Sequence, residues 1–234
     1  MFEDHVQCSI CNKYFTPDLT INGICKQCLK ATQIKDNELR LEEERKASRL
    51  KELAIHIPKR YIDNTFESFE ITPDNKQAFA IVKKYAESDI VKNNGNNLVL
   101  SGSVGTGKTM LAMCVLRHRF LQFDNICYTT ISELIMKSRQ SMSYGGNTNL
   151  MSDYYTADYL AIDEIGRQSG SDNELNLLFE ILNKRYNNVL PTILITNKSG
   201  KDIQKFLGTA IVDRMNEVNT MFLDMSWESY RLNS

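Results

Sequence analysis

Gly102-Ser103-Val104-Gly105-Thr106-Gly107-Lys108-Thr109 is a complete G-x-x-x-x-G-K-[ST] phosphate loop, and its reading decides the fold. In such a loop glycines let the backbone curl so that its N–H groups converge on phosphate oxygens. The lysine supplies a point charge for the β- and γ-phosphates, and the threonine hydroxyl ligates Mg²⁺. The flanks agree with this. Residues 97–101 form a short apolar run that reads as a buried strand, and residues 110–116 read as a helix whose N-terminal dipole favours an anion. ATP and Mg²⁺ are therefore the expected cofactors, with Gly102 through Met110 as the binding segment.

Further strand-like runs lie at residues 126–129, 159–162, 192–196 and 220–223, with helical segments between them. Residues 74–92 are amphipathic, carrying Ala78, Ile81, Val82 and Tyr85 on one face. This alternation predicts an α/β fold, a parallel sheet covered by helices on both faces. A polar interruption over residues 141–153 contains Gly145, Gly146 and Asn147.

Four of the six cysteines lie ahead of this domain, as Cys8-x-x-Cys11 and Cys25-x-x-Cys28. Each pair places two thiolates on one turn, and two facing turns make a tetrahedral sulfur site, so zinc is the expected metal. Two disulfides are the alternative, and the spacing of His5 fits a ligand role less well. With four sulfur ligands such a site is closed and structural. Cys114 and Cys127 sit in apolar contexts and read as core residues. Residues 36–54 are dense in charges of both signs with a thin stripe of Leu39, Leu50 and Leu53, which reads as an exposed linker helix ended by Pro58. The expected organisation is a zinc module over 1–35, a linker helix over 36–57 and an ATPase domain over 58–234.

The net charge of −1 gives no global commitment to nucleic acid, so any DNA contact must come from a local patch. No apolar run is long enough for a membrane span, and the N-terminus lacks the pattern of a signal peptide. A cytoplasmic protein is the expectation.

Residues 159–164 form an apolar strand ending in Asp163 and Glu164. Downstream of an intact phosphate loop, Asp163 is placed to hold Mg²⁺ through water, opposite Thr109, and Glu164 to orient and polarise the attacking water. Asn197, after the next strand, is a candidate contact for the γ-phosphate. Arg214 is a candidate arginine finger reaching a neighbouring subunit's ATP. Together with Lys108, these are the expected catalytic residues.

The ordered set of phosphate loop, Ile162-Asp163-Glu164-Ile165-Gly166, Thr196-Asn197, Leu207-Gly208, Asp213-Arg214-Met215 and Trp227-Glu228-Ser229-Tyr230-Arg231 resembles the DnaC-like replicative helicase loaders of the AAA+ class. The resemblance covers roughly residues 57–231. It implies an AAA+ αβα sandwich with a five-stranded sheet in the order 5-1-4-3-2 and no C-terminal helical lid. It also implies a DnaB-type hexameric helicase as partner, placement on single-stranded DNA, self-association through ATP sites, and hydrolysis as the release switch. The chain departs from the loader pattern at Thr209 and Ala210, where a second arginine is often found. The cysteine module resembles N-terminal modules of some loaders and would dock on the helicase. Lys137, Arg139 and Tyr144 offer phosphate charge and a stacking face to single-stranded DNA, although a solvated helix face reads equally well. The rivals are a transposition helper ATPase of the IstB type and a nucleotide-bound, non-catalytic zinc adaptor.

Overall fold

The computed structural model describes residues 5–143, 149–167 and 172–229, divided into two compact units at Lys51 and Glu52. In the first unit β1 (Val6–Gln7) pairs antiparallel with β2 (Tyr14–Phe15), and β3 (Thr20–Ile21) pairs antiparallel with β4 (Ile24–Cys25). Helix α1 (Lys26–His56) follows. It starts inside the second cysteine pair, earlier than the charged run suggests. The Cys28 N–H donates to Cys25 Sγ at 3.5 Å, so a sulfur takes up one of the helix's orphan N-terminal donors. Beyond the cysteines the helix is largely exposed and carries pairs such as Lys46–Glu42 at 2.6 Å.

The second unit is built on a parallel five-stranded sheet of β5 (Leu98–Ser101), β6 (Ile126–Thr130), β7 (Tyr159–Ile165), β8 (Thr192–Thr196) and β9 (Met221–Asp224). The spatial order is β6-β7-β8-β5-β9. Counted from β5 as the first strand, this is the expected 5-1-4-3-2. The two-residue side-chain period divides the strands between two cores. Leu98, Leu100, Tyr159, Ala161, Ile193 and Ile195 face a cluster shared with α2 (Lys76–Glu87), α3 (Asp89–Asn93) and α4 (Lys108–Leu121). Val99, Leu160, Ile162 and Leu194 face a second cluster. That one is shared with α5 (Ile131–Ser143), α6 (Asn149–Thr156), α7 (Asp172–Asn187), α8 (Gly200–Leu207) and α9 (Thr209–Glu217). Each fully buried aliphatic side chain contributes about 1.5–3 kcal/mol. These two layers therefore hold the phosphate loop and the acidic strand end as one rigid frame.

One charged residue belongs to that frame. Arg185 on α7 is 1% exposed. It donates to Thr192 Oγ1 at 2.9 Å and to the carbonyls of Tyr154 at 3.2 Å, Ala157 at 2.9 Å and Pro191 at 2.7 Å. It thereby satisfies loop carbonyls that would otherwise be buried without donors. Among the described residues no helix is long and apolar enough to cross a membrane.

Candidate nucleotide site and cysteine cluster

Strand β5 runs directly into the phosphate loop, and α4 begins at Lys108. Gly102 has φ +123°, and a Cβ there would lie 2.5 Å from the carbonyl oxygen of Met225. A Cβ on Gly105, at φ +82°, would meet Ser229 Oγ at 2.0 Å. The segment after β9 thus rests on the loop, and only glycine allows so close an approach. It is anchored by Met225 N–H donating to the Ser101 carbonyl at 2.7 Å and by Ser101 Oγ donating to the Leu223 carbonyl at 3.1 Å. Lys108 is buried, and its ammonium donates to the carbonyls of Gly102, at 3.0 Å, and Ser103.

The acids lie across from the loop. Thr109 Oγ1 donates to Asp163 Oδ2 at 2.8 Å, the Glu164 N–H to Asp163 Oδ1 at 2.6 Å, and the Tyr128 hydroxyl to Asp163 Oδ2 at 3.3 Å. Burial pushes the Asp163 carboxyl above the usual carboxylate range, while these three donors oppose the rise. Burial likewise pushes the Tyr128 hydroxyl well up, so it is held as a neutral donor.

Strand β7 runs through both acids to Ile165, one residue past the end expected from the sequence. The register with β8 shifts between Ile162 and Ile165, and Glu164 has φ +61°. This bulge turns Asp163 and Glu164 toward the loop while Ile165 rejoins β8, where Thr196 Oγ1 donates to its carbonyl at 2.8 Å.

Lys108, Thr109, Met110, Asp163, Glu164 and Asn197 line one cavity of about 960 Å³, with Val104, Gly105, Thr106 and Gly107. That volume lies within the range of pockets that hold nucleotide-sized ligands. A further wall holds Arg60, Tyr61, Asn64, Ser68, Phe69 and Glu70, with the Phe69 ring close against Gly107. This wall has no sequence signature. Its residues lie in an irregular segment whose place is set by Phe66 and Phe69 packing on Phe79, at centroid distances of 5.8 and 5.5 Å. Arg167 and Tyr128 also line the cavity and had no role from the sequence.

Arg214 lies outside the residues lining this cavity. On α9 its guanidinium sits over the rings of Phe179 at 5.6 Å and Tyr186 at 5.4 Å, both on α7. Lys137 and Arg139 are exposed on α5, with the Lys137 ammonium 5.1 Å from the centre of the Tyr154 ring. Tyr144 falls outside the described residues.

In the first unit the sulfurs of Cys8, Cys11, Cys25 and Cys28 all lie within 4.8 Å of one another, and all four are free thiols. A tetrahedral Zn²⁺ with Zn–S bonds of about 2.3 Å separates its sulfurs by about 3.8 Å, so the cluster fits that ion. Backbone N–H groups of Cys11, Cys25 and Ile10 pull the Cys8 thiol down to about 6, against the effect of burial. The Cys28 thiol is pushed up to about 12, first by its contact with the Cys25 thiol. Sulfurs this close share their protons unequally, and a cation removes the conflict by displacing those protons.

Residues 28–234 match the family described as IstB-like ATP binding protein. The chain is 30% identical over 175 residues to the replicative helicase loader DnaC of Buchnera aphidicola subsp. Acyrthosiphon pisum, covering 73% of this chain and 70% of that protein. It is 27% identical over 170 residues to the replicative helicase loader DnaC of Escherichia coli strain K12, covering 71% and 69%. Among solved structures it is similar to the crystal structure of the DnaC helicase loader, with TM-score 0.64, 24% identity, and coverage of 72% of this chain and 99% of that one. It is also similar to replication initiator DnaA bound to AMPPCP and single-stranded DNA, with TM-score 0.62, 21% identity and 74% of this chain covered. The matched part spans about half of that DnaA chain, 51%. At these identities the solved structures speak to the fold.

Proposed function

Because the chain belongs to the IstB-like ATP binding family, whose relatives here include replicative helicase loaders, we propose that it is an ATP-dependent loader of a hexameric replicative helicase onto single-stranded DNA. The observation that carries the ATPase reading is the Thr109–Asp163 hydrogen bond, with Lys108, Glu164 and Asn197 around the same cavity. A hydroxyl and a carboxylate already touching would hold one Mg²⁺ between them, Asp163 through water, and that ion would neutralise charge on the β- and γ-phosphates.

Lys108, which donates to the carbonyls of Gly102 and Ser103, would turn its ammonium to the phosphates. Glu164 orients and polarises the attacking water, and Asn197 contacts the terminal phosphate. Arg214 is not among the residues that line its own chain's cavity, as suits a residue offered to a neighbouring subunit. Its stacking on Phe179 and Tyr186 holds the guanidinium for that contact. Hydrolysis then depends on assembly and is weak in the isolated chain, and it serves as the release switch. The cysteine cluster holds a structural Zn²⁺ and docks on the helicase. Lys137, Arg139 and Tyr144 contribute to the DNA contact, and the protein acts in the cytoplasm.

Lys108→Ala is expected to lower ATP affinity at least about tenfold, since a charge-assisted contact to phosphate is lost. Equilibrium titration checks this, and unchanged affinity would overturn the site assignment. Capture of host proteins with the full chain and ATP tests the partner. Recovery of a replicative helicase, lost in a Cys25→Ser variant, supports the loader. Recovery of a transposase in its place supports a transposition helper. Absence of hydrolysis with and without single-stranded DNA would point to a non-catalytic adaptor.

A further inference from the structure

Glu164, the acid assigned to water activation, is held by a neighbouring cation. An Arg167 guanidinium nitrogen pairs with Glu164 Oε1, three residues earlier in the chain. The backbone sets up the contact. Glu164 at φ +61° and Gly166 at φ +76° fold the strand end into a turn, closed by the Arg167 N–H donating to the Glu164 carbonyl at 3.2 Å. Both side chains line the cavity that contains Lys108, Thr109 and Asp163. The Arg167 side chain is 67% exposed, so its bond to one carboxylate is weak and exchangeable. Lys198, two residues past β8, runs its side chain against Gly166 of this turn and ends with its ammonium 5.4 Å from the centre of the Phe206 ring.

A carboxylate bound to a guanidinium is a poorer base for water, so the pair has to open for hydrolysis. The anion best able to open it is the terminal phosphate. It carries more charge than a carboxylate, offers three acceptor oxygens and suits the planar guanidinium fork. We propose that Arg167 is a phosphate-binding residue that exchanges Glu164 for the terminal phosphate of a nucleoside triphosphate, and so frees Glu164 only when a hydrolysable nucleotide is present. The inference rests on the ATPase reading above and adds to it a built-in discrimination between ATP and ADP.

The test compares binding of ADP and of a non-hydrolysable ATP analogue by wild type, Arg167→Ala and Arg167→Lys, with steady-state hydrolysis alongside. The side chain is exposed, so the substitutions leave the fold intact, and thermal unfolding confirms it. Arg167→Ala is expected to weaken the analogue about tenfold, the worth of a charge-assisted bond to phosphate. ADP affinity stays unchanged and kcat falls, and Arg167→Lys restores part of the loss. Equal weakening of ADP and analogue, no change in either, or a raised kcat with unchanged analogue affinity would each overturn the proposal. Wild-type protein that binds neither nucleotide would instead bring down the ATPase reading itself.

Discussion

Replacing Glu164 with Gln is expected to slow ATP hydrolysis by about two to four orders of magnitude, the usual worth of a positioned general base, while ATP binding persists. The amide keeps the size and the polar character of the side chain but cannot take a proton or polarise water as a carboxylate does. The binding elements lie elsewhere. In the proposed function Lys108 and the loop N–H groups are the ones to reach the phosphates, and Thr109 and Asp163, already hydrogen-bonded to each other, are the ones to hold the metal. Affinity and turnover should therefore separate. Single-turnover hydrolysis and nucleotide titration on the same preparation provide the measurement. A Glu164→Gln variant with more than about a tenth of wild-type turnover would remove Glu164 from the base role. Because the substitution also abolishes the pair with Arg167, the variant is expected to trap the ATP-bound state.

Removing the metal from the cysteine cluster should unfold the segment ahead of α1 while the ATPase unit stays folded. Among described residues 5–25 the buried side chains are Cys8 and Cys25, whereas Ile10, Tyr14, Leu19 and Ile21 are 52%, 65%, 44% and 48% exposed. Two two-residue hairpins with no apolar core cannot repay the entropy of ordering their chain. Binding a structural Zn²⁺ at neutral pH supplies about 10–16 kcal/mol, far more than any contact in the segment. Chelation, or Cys8→Ser, is expected to expose the amides of β1 to β4 to hydrogen exchange and to leave protection of β5 to β9 intact. Metal analysis should return equimolar zinc. Amide protection unaltered by a strong chelator, in protein shown to have lost its zinc, would refute this account.

Legibility followed locality. The phosphate loop, the cysteine pairs and Asp163-Glu164 are contiguous strings whose chemistry is written in the residues themselves. The structure brings Val104 to Met110 of the loop, Asp163, Glu164 and Asn197 around one cavity. Strand positions were readable because buried parallel strands are short unbroken apolar runs. What stayed hidden depends on distant contacts. Arg185 in a charged helix reads as solvent-facing, and its burial follows from loop carbonyls that only the tertiary structure places around it. The wall at residues 58–70 lacks periodicity, and Phe79 and its neighbours decide where it lies. Arg167 is near Glu164 in sequence, yet their contact hangs on a bulge and a left-handed residue that no propensity scale favours. Helix α1 starts ahead of its charged run because charge pattern marks the exposed part of a helix, whereas its first turn is fixed by a cysteine sulfur.

The segment lying on the phosphate loop also carries the chain's sole tryptophan. Trp227 stands between Met225, whose carbonyl occupies the space beside Gly102, and Ser229, which occupies the space beside Gly105. Its indole ring packs against the core that α4 shares with the sheet, and its N–H is buried without a hydrogen-bond partner among the described residues. Any movement of the loop backbone must therefore be passed to an indole in a polarity-sensitive environment. The protein carries its own optical probe, and a loop that shifts as nucleotide arrives and departs would be timed by ultraviolet emission with no label attached.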